Sequence, residues 1–355
     1  MNNSSTSNSE FKHFVAKMAF RLILLSAACL LVFFLPLPRS YYFSLMKYSD
    51  YSKMNWVENK LNTVGTLDST IVFVGSSICL NGINDSLLNA LDTGTTQYLN
   101  CGITHTCYAV IDAMLEEMLD KKKLRPKKVI LCFKGDAMAR YIHNMYPAQA
   151  STSHILQSAT AFNTQFFPSF LKRVSWNVHS ITHLTKYEQT DPEKEFISSY
   201  GFKPQNTLAV EKVEKSYKNL RTGSEANFNA IQNQNEGNDL PLKSKVSVAL
   251  TDVTQNILYQ RSIFERSAQR LDDLNIPYDI LVYPNLVSAR MEKQGIMANY
   301  VKRTFTGIDF DNHRVIAVTD TAFSNARYYV DMNHLNPKGA DLLTNFVYNE
   351  LKESK

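Results

Sequence analysis

Glycine is scarce, 12 residues in 355, and no internal repeat runs through the chain, which excludes a collagen-like molecule. Cysteine is scarce too. The five present, Cys29, Cys79, Cys101, Cys107 and Cys132, include no CxxC pair, so neither a disulfide framework nor a zinc ribbon is expected. Charge of one sign is also lacking: 38 Lys+Arg against 33 Asp+Glu leave a net +5, too little over this length to argue for nucleic acid as a partner. Long apolar runs are absent except for one, which excludes a polytopic transporter. What is present, 44% hydrophobic and 20% charged residues, is an ordinary globular mixture and not the composition of a disordered chain. At roughly 150 residues per domain the length permits one large domain or two small ones.

The single long run follows Lys12, Lys17 and Arg21 and reads LILLSAACLLVFFLPLP from Leu22 to Pro38. If Arg21 snorkels, Met18–Pro38 covers about 31 Å, enough for the hydrocarbon core. Basic residues precede the span and only Arg39 closely follows it, so the positive-inside rule places the N-terminus in the cytoplasm and residues 40–355 outside. A cleaved signal peptide fits less well, because no small-x-small exit follows Pro36-Leu-Pro-Arg39. A lipoprotein signal at Ser26-Ala-Ala-Cys29 would leave LLVFFL, not a polar tether, after the cysteine. The expected organisation is a cytoplasmic tail over 1–17, a single transmembrane anchor over 18–38, a juxtamembrane linker over 39–67 and a globular domain over 68–355. In the linker, Tyr41, Tyr42, Tyr48, Tyr51 and Trp56 suit a membrane-interface belt, and 50–67 has the character of a helix.

Short apolar runs then recur at α/β spacing: 71–74 before Gly75-Ser76-Ser77, 98–101 before Gly102, 129–133 before Lys134-Gly135-Asp136, 278–283 before Pro284, and 314–318 before Thr319-Asp320. None alternates cleanly, as expected of strands covered on both faces. Helical segments lie between them, over 85–91, 106–123 and 246–274, and a last one opens with Asn336 as N-cap and Pro337 at its first position. The fold class is α/β, a doubly wound parallel sheet whose site lies at the carboxyl ends of its strands. Residues 144–245, rich in Ser, Thr, Asn and Gln, break the rhythm. They read as an insertion that is helical in part and covers the site, with an exposed loop over 223–238.

Ser77 follows a strand at a strand-to-helix turn, where a hydroxyl sits at the mouth of the sheet beside backbone N–H groups. Near the end of the chain stands Asp331-Met-Asn-His334, followed by the Asn336-Pro337 helix start. A carboxylate three residues before a histidine reaches Nδ1, fixes the tautomer and leaves Nε2 free to take a serine proton. In this order Ser77, Gly102, Asp331 and His334 resemble the blocks of the SGNH (GDSL-like) hydrolase superfamily. There a Gly-Asp-Ser block ends the first strand, a glycine follows the second, and Asp-x-x-His lies near the C-terminus. The resemblance covers about 68–140 and 246–355. It implies a flavodoxin-like sheet, a catalytic triad of Ser77, His334 and Asp331, an acyl-serine intermediate, and an oxyanion hole from the backbone N–H groups of Ser77 and Gly102.

Two positions depart from the pattern. Ser76 stands where the family has aspartate, and Gly135-Asp-Ala-Met138 lacks the third-block asparagine that helps to hold the oxyanion. Asp136 is a poor replacement, since an anion repels the developing charge. The anchor, the extracytoplasmic domain and the altered third block together look like the members that act on bacterial envelope polymers, often beside a multispanning membrane O-acyltransferase. That resemblance implies an acylated envelope glycan or a lipid-linked saccharide as substrate, with no cofactor and no nucleic acid. A non-catalytic glycan-binding or acyltransferase-partner protein on the same fold is the alternative.

Other candidates weigh less. His179 and His183 share a helix face, but no third ligand completes a metal site. His105 is a candidate substrate contact or a helix-start residue. Cys79, Cys101 and Cys132 read as packed core. Tyr141, Tyr146, Phe166, Phe167 and Trp176 read as a sugar-stacking face or as a seam between insertion and core. The basic run Lys121-Lys-Lys-Leu-Arg125 complements a helix end.

Overall fold

The computed structural model describes residues 5–35, 37, 50–103, 108–133, 155–156, 166–182, 210–214, 250–290, 301–302, 305, 307–318, 320–331 and 333–353. In chain order these form α1 (Ser5–Phe33), α2 (Asp50–Thr63), β1 (Thr70–Val74), α3 (Ser77–Gly82), α4 (Asp85–Leu91), β2 (Gln97–Asn100), and α5 (Tyr108–Leu115), which runs on as a π-helical turn over Glu116–Lys121. Then come β3 (Lys128–Phe133), α6 (Phe166–Thr182), α7 (Leu250–Asp273), β4 (Tyr278–Val282), α8 (Leu286–Arg290), β5 (Val315–Ala317) and α9 (Pro337–Glu353).

The five strands make one parallel sheet in the order β2-β1-β3-β4-β5. All five apolar runs singled out in the sequence are its strands. They carry no polar alternation because both faces are covered. Val72, Val74, Val129, Leu131, Ile280 and Val282 point into a core closed by α2, α5 and α7. Ile71, Phe73, Ile130, Cys132, Leu281 and Ile316 point the other way, into a core closed by α3, α4 and α9. On the first face Asp112 of α5 is fully buried, accepts from Arg266 Nε at 2.9 Å and from Ser267 Oγ at 3.0 Å, and so ties α5 to α7.

The chain crosses from β2, on one side of β1, to β3 on the other. The carboxyl ends of β1 and β3 therefore flank the point where the winding reverses, the place where open α/β sheets hold their ligands. α9 brings a distant segment to that point. Asn336 Oδ1 caps it by accepting from Gly339 N–H at 3.1 Å, and Pro337 needs no acceptor at the first position. Ala340, Leu343, Val347 and Leu351 form its buried stripe. Thr344 Oγ1 accepts from Asn84 N–H at 2.9 Å and Tyr348 Oη donates to Leu91 O at 2.6 Å, which fixes α9 across α3 and α4.

Two boundaries differ from the sequence reading. The apolar helix does not run over 18–38 but ends at Phe33; Leu35 precedes a proline, and a residue before proline is disfavoured in α conformation. Its stretch Glu10–Phe33 is long and apolar enough to cross a membrane and is the one such helix among the described residues. The expected linker over 39–67 is, from Asp50 on, part of the core. Met54, Trp56, Val57, Leu61 and Leu67 are buried, and Trp56 stacks under the Lys53 ammonium at 4.0 Å instead of meeting an interface.

Of the insertion over 144–245, three pieces are described, and all are helical. Ile155 is buried in the first core and Val213 in the second, while Glu214 pairs with Arg290 of α8 at 2.8 Å. Residues 223–238 lie outside the described residues.

Candidate active site

β1 delivers the chain to Gly75, where a Cβ would lie 2.7 Å from the Cβ atoms of both Cys79 and Cys132; only glycine lets the strand end pass between them. Ser76 then turns the chain and Ser77 opens α3. At the first helical position the Ser77 N–H has no intrahelical acceptor, so it can meet an oxygen anion beside its own hydroxyl. The Ser76 hydroxyl is buried and without a hydrogen-bond partner among the described residues.

The opposite wall comes from the loop before α9. Two 3-10 turns, Thr321–Ser324 and Ala326–Tyr328, are capped by Asp320 and Asn325. An antiparallel bridge between Tyr329 and Leu335, both buried, closes the loop, and Val330 N–H donates to His334 O at 2.9 Å. Asn336 Nδ2 donates to Arg327 O at 2.7 Å and holds the base of the same loop.

Ser77 Oγ lies 2.8 Å from His334 Nε2. His334 Nδ1 lies 2.8 Å from Asp331 Oδ2 and 3.0 Å from Oδ1, and Oδ1 also accepts the backbone N–H groups of Asn333 at 2.7 Å and His334 at 2.8 Å. Burial pushes the Asp331 carboxyl up, but the hydrogen bond from His334, the imidazole charge and the two backbone donors outweigh it and hold the group below the ordinary carboxylate range. An ionised Asp331 requires a proton on Nδ1, which leaves the Nε2 lone pair toward the Ser77 hydroxyl. Ser77 is nearly buried, His334 is one-fifth exposed and Asp331 half exposed, so the line of three runs from the sheet to the solvent.

Gly102 sits beside them for a steric reason. A Cβ there would lie 2.3 Å from Leu80 N and 2.8 Å from Leu80 Cα, inside the backbone of the helix that carries Ser77. Its N–H, expected to face the oxyanion, donates to Asn100 Oδ1 at 2.8 Å. Asn100 is a residue that sequence reasoning passed over as part of a strand. It is fully buried, and its Nδ2 donates to Cys79 O at 2.9 Å and Ile83 O at 2.7 Å. One side chain thus clamps α3 to the end of β2. The signal available in sequence was a polar residue ending an apolar strand two positions before a glycine.

Burial raises the Cys79 thiol well above its usual range and pushes Cys101 up to about 12, so both stay protonated and pack as core. His313 and Asp272 form a second pair at 2.8 Å, but His313 stacks on Tyr278 at the amino ends of β4 and β5, far from any strand exit. A surface hollow lined by Asp120, Arg266, Arg270 and Asp273 contains none of the three site residues. His179 is exposed and packs edge-on against Trp176. Among the described residues no group of three His, Cys, Asp or Glu is placed to hold a metal. His105, Gly135, Asp136, Tyr141, Tyr146, His183 and the side chains of Phe166 and Phe167 lie outside the described residues.

Compared with models of known families, with curated proteins and with solved structures, the chain matches none.

Proposed function

We propose that the chain is a membrane-anchored, extracytoplasmic serine acyl esterase or O-acyltransferase of the SGNH type that acts on an acylated envelope glycan or a lipid-linked saccharide. The observation that carries this reading is the 2.8 Å contact of Ser77 Oγ with His334 Nε2, with Asp331 on the far nitrogen. The strand order 2-1-3-4-5, which is that of flavodoxin-like doubly wound sheets, supports the fold assignment, as does the place of Ser77 at the reversal point. The apolar helix Glu10–Phe33 and the basic residues Lys12, Lys17 and Arg21 support a single span with its start in the cytoplasm.

In this reading Ser77 Oγ attacks the ester carbonyl carbon while its proton passes to His334 Nε2. The tetrahedral oxyanion faces the Ser77 N–H. The C–O bond to the leaving alcohol breaks as His334 returns the proton to that alcohol, leaving an acyl-serine. Water or a glycan hydroxyl then gives its proton to His334 and attacks the acyl carbon, and the released Ser77 oxygen takes the proton back. Asp331 remains ionised throughout and orients the ring. Both acceptors share the first half-reaction. Full-length protein in detergent should hydrolyse acetyl or butyryl esters of a nitrophenol and be labelled by a fluorophosphonate, and Ser77→Ala should abolish both. A folded wild-type protein inert to all three reagents would sink the reading.

A second reading, a non-catalytic glycan-binding or acyltransferase-partner protein, draws on one observation. The Gly102 N–H is engaged by Asn100, and the sequence has no third-block asparagine to replace it. Cells carrying Ser77→Ala or His334→Ala separate the two: if both variants restore the phenotype of a deletion, binding is the function.

A further inference from the structure

α6 wears its polarity inside out. Arg173, Asn177 and Ser180, at helical spacing, are buried, with exposures of 7%, 0% and 1%. Leu171, Val178 and Ile181 on the outer side are 47%, 46% and 40% exposed, beside the exposed Ser175 and Thr182, while Val174 packs against the first core. A helix facing water places its residues the other way round.

Its neighbour explains the inversion. α6 packs on the last turn of α1: Phe33 meets Phe170 with ring centroids 4.7 Å apart, and Asn177 Nδ2 donates to Val32 O at 2.6 Å. The final carbonyls of a helix lack intrahelical donors, and where lipid replaces water a protein donor must supply the bond. Asn177 adds a second donor to Val32 O, which also accepts from Leu35 N–H at 3.2 Å, at the end of the one stretch among the described residues long enough to cross a bilayer. From Leu22 to Leu31 α1 is apolar and mostly exposed, with Leu22 at 58%, Leu24 at 53% and Leu31 at 74%. The stripe on α6 thus adjoins the apolar surface of α1 at the level where α1 ends. Lys172 and His179 are exposed beside the stripe, as side chains at headgroup depth are.

We propose that α6 is an interfacial membrane helix, its Leu171, Val178 and Ile181 face immersed in the acyl-chain boundary of the bilayer that α1 spans. The occupant of this face is lipid, not a partner protein. The inference rests on the anchoring reading above and deepens it. One spanning helix lets a domain swivel; a second contact beside its exit fixes the orientation of the sheet, and with it the direction in which Ser77 faces.

The test uses full-length protein in phosphatidylcholine–phosphatidylglycerol nanodiscs, with p-benzoylphenylalanine in place of Val178, of Leu24 in α1, or of Gln269, which is exposed on α7. After illumination, mass spectrometry should find phospholipid adducts at 178 in yield comparable with 24, and only background at 269. Adducts at 24 but none at 178, or peptide adducts at 178 from another protein, another copy or another part of this chain, would overturn the interfacial helix and leave the anchor intact. A lack of adducts at 24, whatever is seen at 178, would overturn the anchor and the inference with it.

Discussion

Asn100 and Gly102 are joined by a 2.8 Å hydrogen bond from the glycine N–H to the asparagine Oδ1, while the same amide's nitrogen serves the carbonyl of Cys79, in the helix that opens with Ser77, and that of Ile83, which caps its end. Asn100 itself is reached from below, since its backbone N–H donates to the buried Asp85 at 2.6 Å and its carbonyl accepts from the buried Lys53 ammonium at 3.0 Å. The mounting of Ser77 is therefore polar, although its surroundings are apolar.

Replacing Asn100 by alanine strands the buried Ile83 carbonyl and the Gly102 N–H, whereas Cys79 O keeps the Ile83 N–H at 3.1 Å. At about 1–3 kcal/mol for each unsatisfied group, partly relieved by relaxation, the cost should be about 3 kcal/mol. Thermal unfolding of the full chain in detergent reads this directly. A loss below about 1 kcal/mol would mean that water or neighbouring groups already share the clamp.

Gly102→Ala introduces a methyl group at 2.3 Å from Leu80 N, and backbone cannot rotate out of the way as a flexible side chain would. α3 must shift, and Ser77 with it. The expected outcome is a fluorophosphonate labelling rate at Ser77 reduced on the order of 100-fold, as for a misplacement of about 1 Å, with the far-ultraviolet circular dichroism retained. Unchanged labelling would show that the hydroxyl does not depend on this close approach.

The depressed Asp331 carboxyl makes a signed prediction about pH. Because its folded value lies below the ordinary one, its contribution is present above the ordinary range, about 3.9, and disappears as pH falls through the lowered folded value. The difference in unfolding midpoint between wild type and Asp331→Asn should be level from neutral pH down to about pH 5 and shrink below about pH 4. The side chain is half exposed, so the difference is small throughout. A difference that widens with acid would reverse the sign and contradict the geometry.

The strands and the order of the site residues were legible because both are local. An apolar run that ends at Gly75-Ser76-Ser77 announces its own turn, and Asp331 reaches His334 within a single loop. Ser77 and His334, 257 positions apart, could be paired only through resemblance, since nothing in either segment specifies how α9 crosses α3. Trp56 was misread because an aromatic residue looks alike in a core and at a membrane surface; its burial is decided by α2 packing on the sheet, which no local pattern encodes. Asn100 was missed for the converse reason. One polar residue at a strand end carries no periodicity, and its value lies in carbonyls 17 to 21 residues away. The exposed apolar residues of α6 show only when exposure is assigned, because Leu171, Val174, Val178 and Ile181 have the spacing of an ordinary core face, yet only Val174 packs on the core.

Phe33 is the last residue of α1 and is also a member of the sheet's own core, 1% exposed, and Leu37 packs against the same core. The apolar helix is therefore not a leash from which the α/β domain could be cut. Severing the chain after it would act on the domain as a large-to-small core replacement does, costing about 3–5 kcal/mol for a lost phenylalanine. This core is complete only when α1 is packed against it, so whatever holds α1 also holds the sheet.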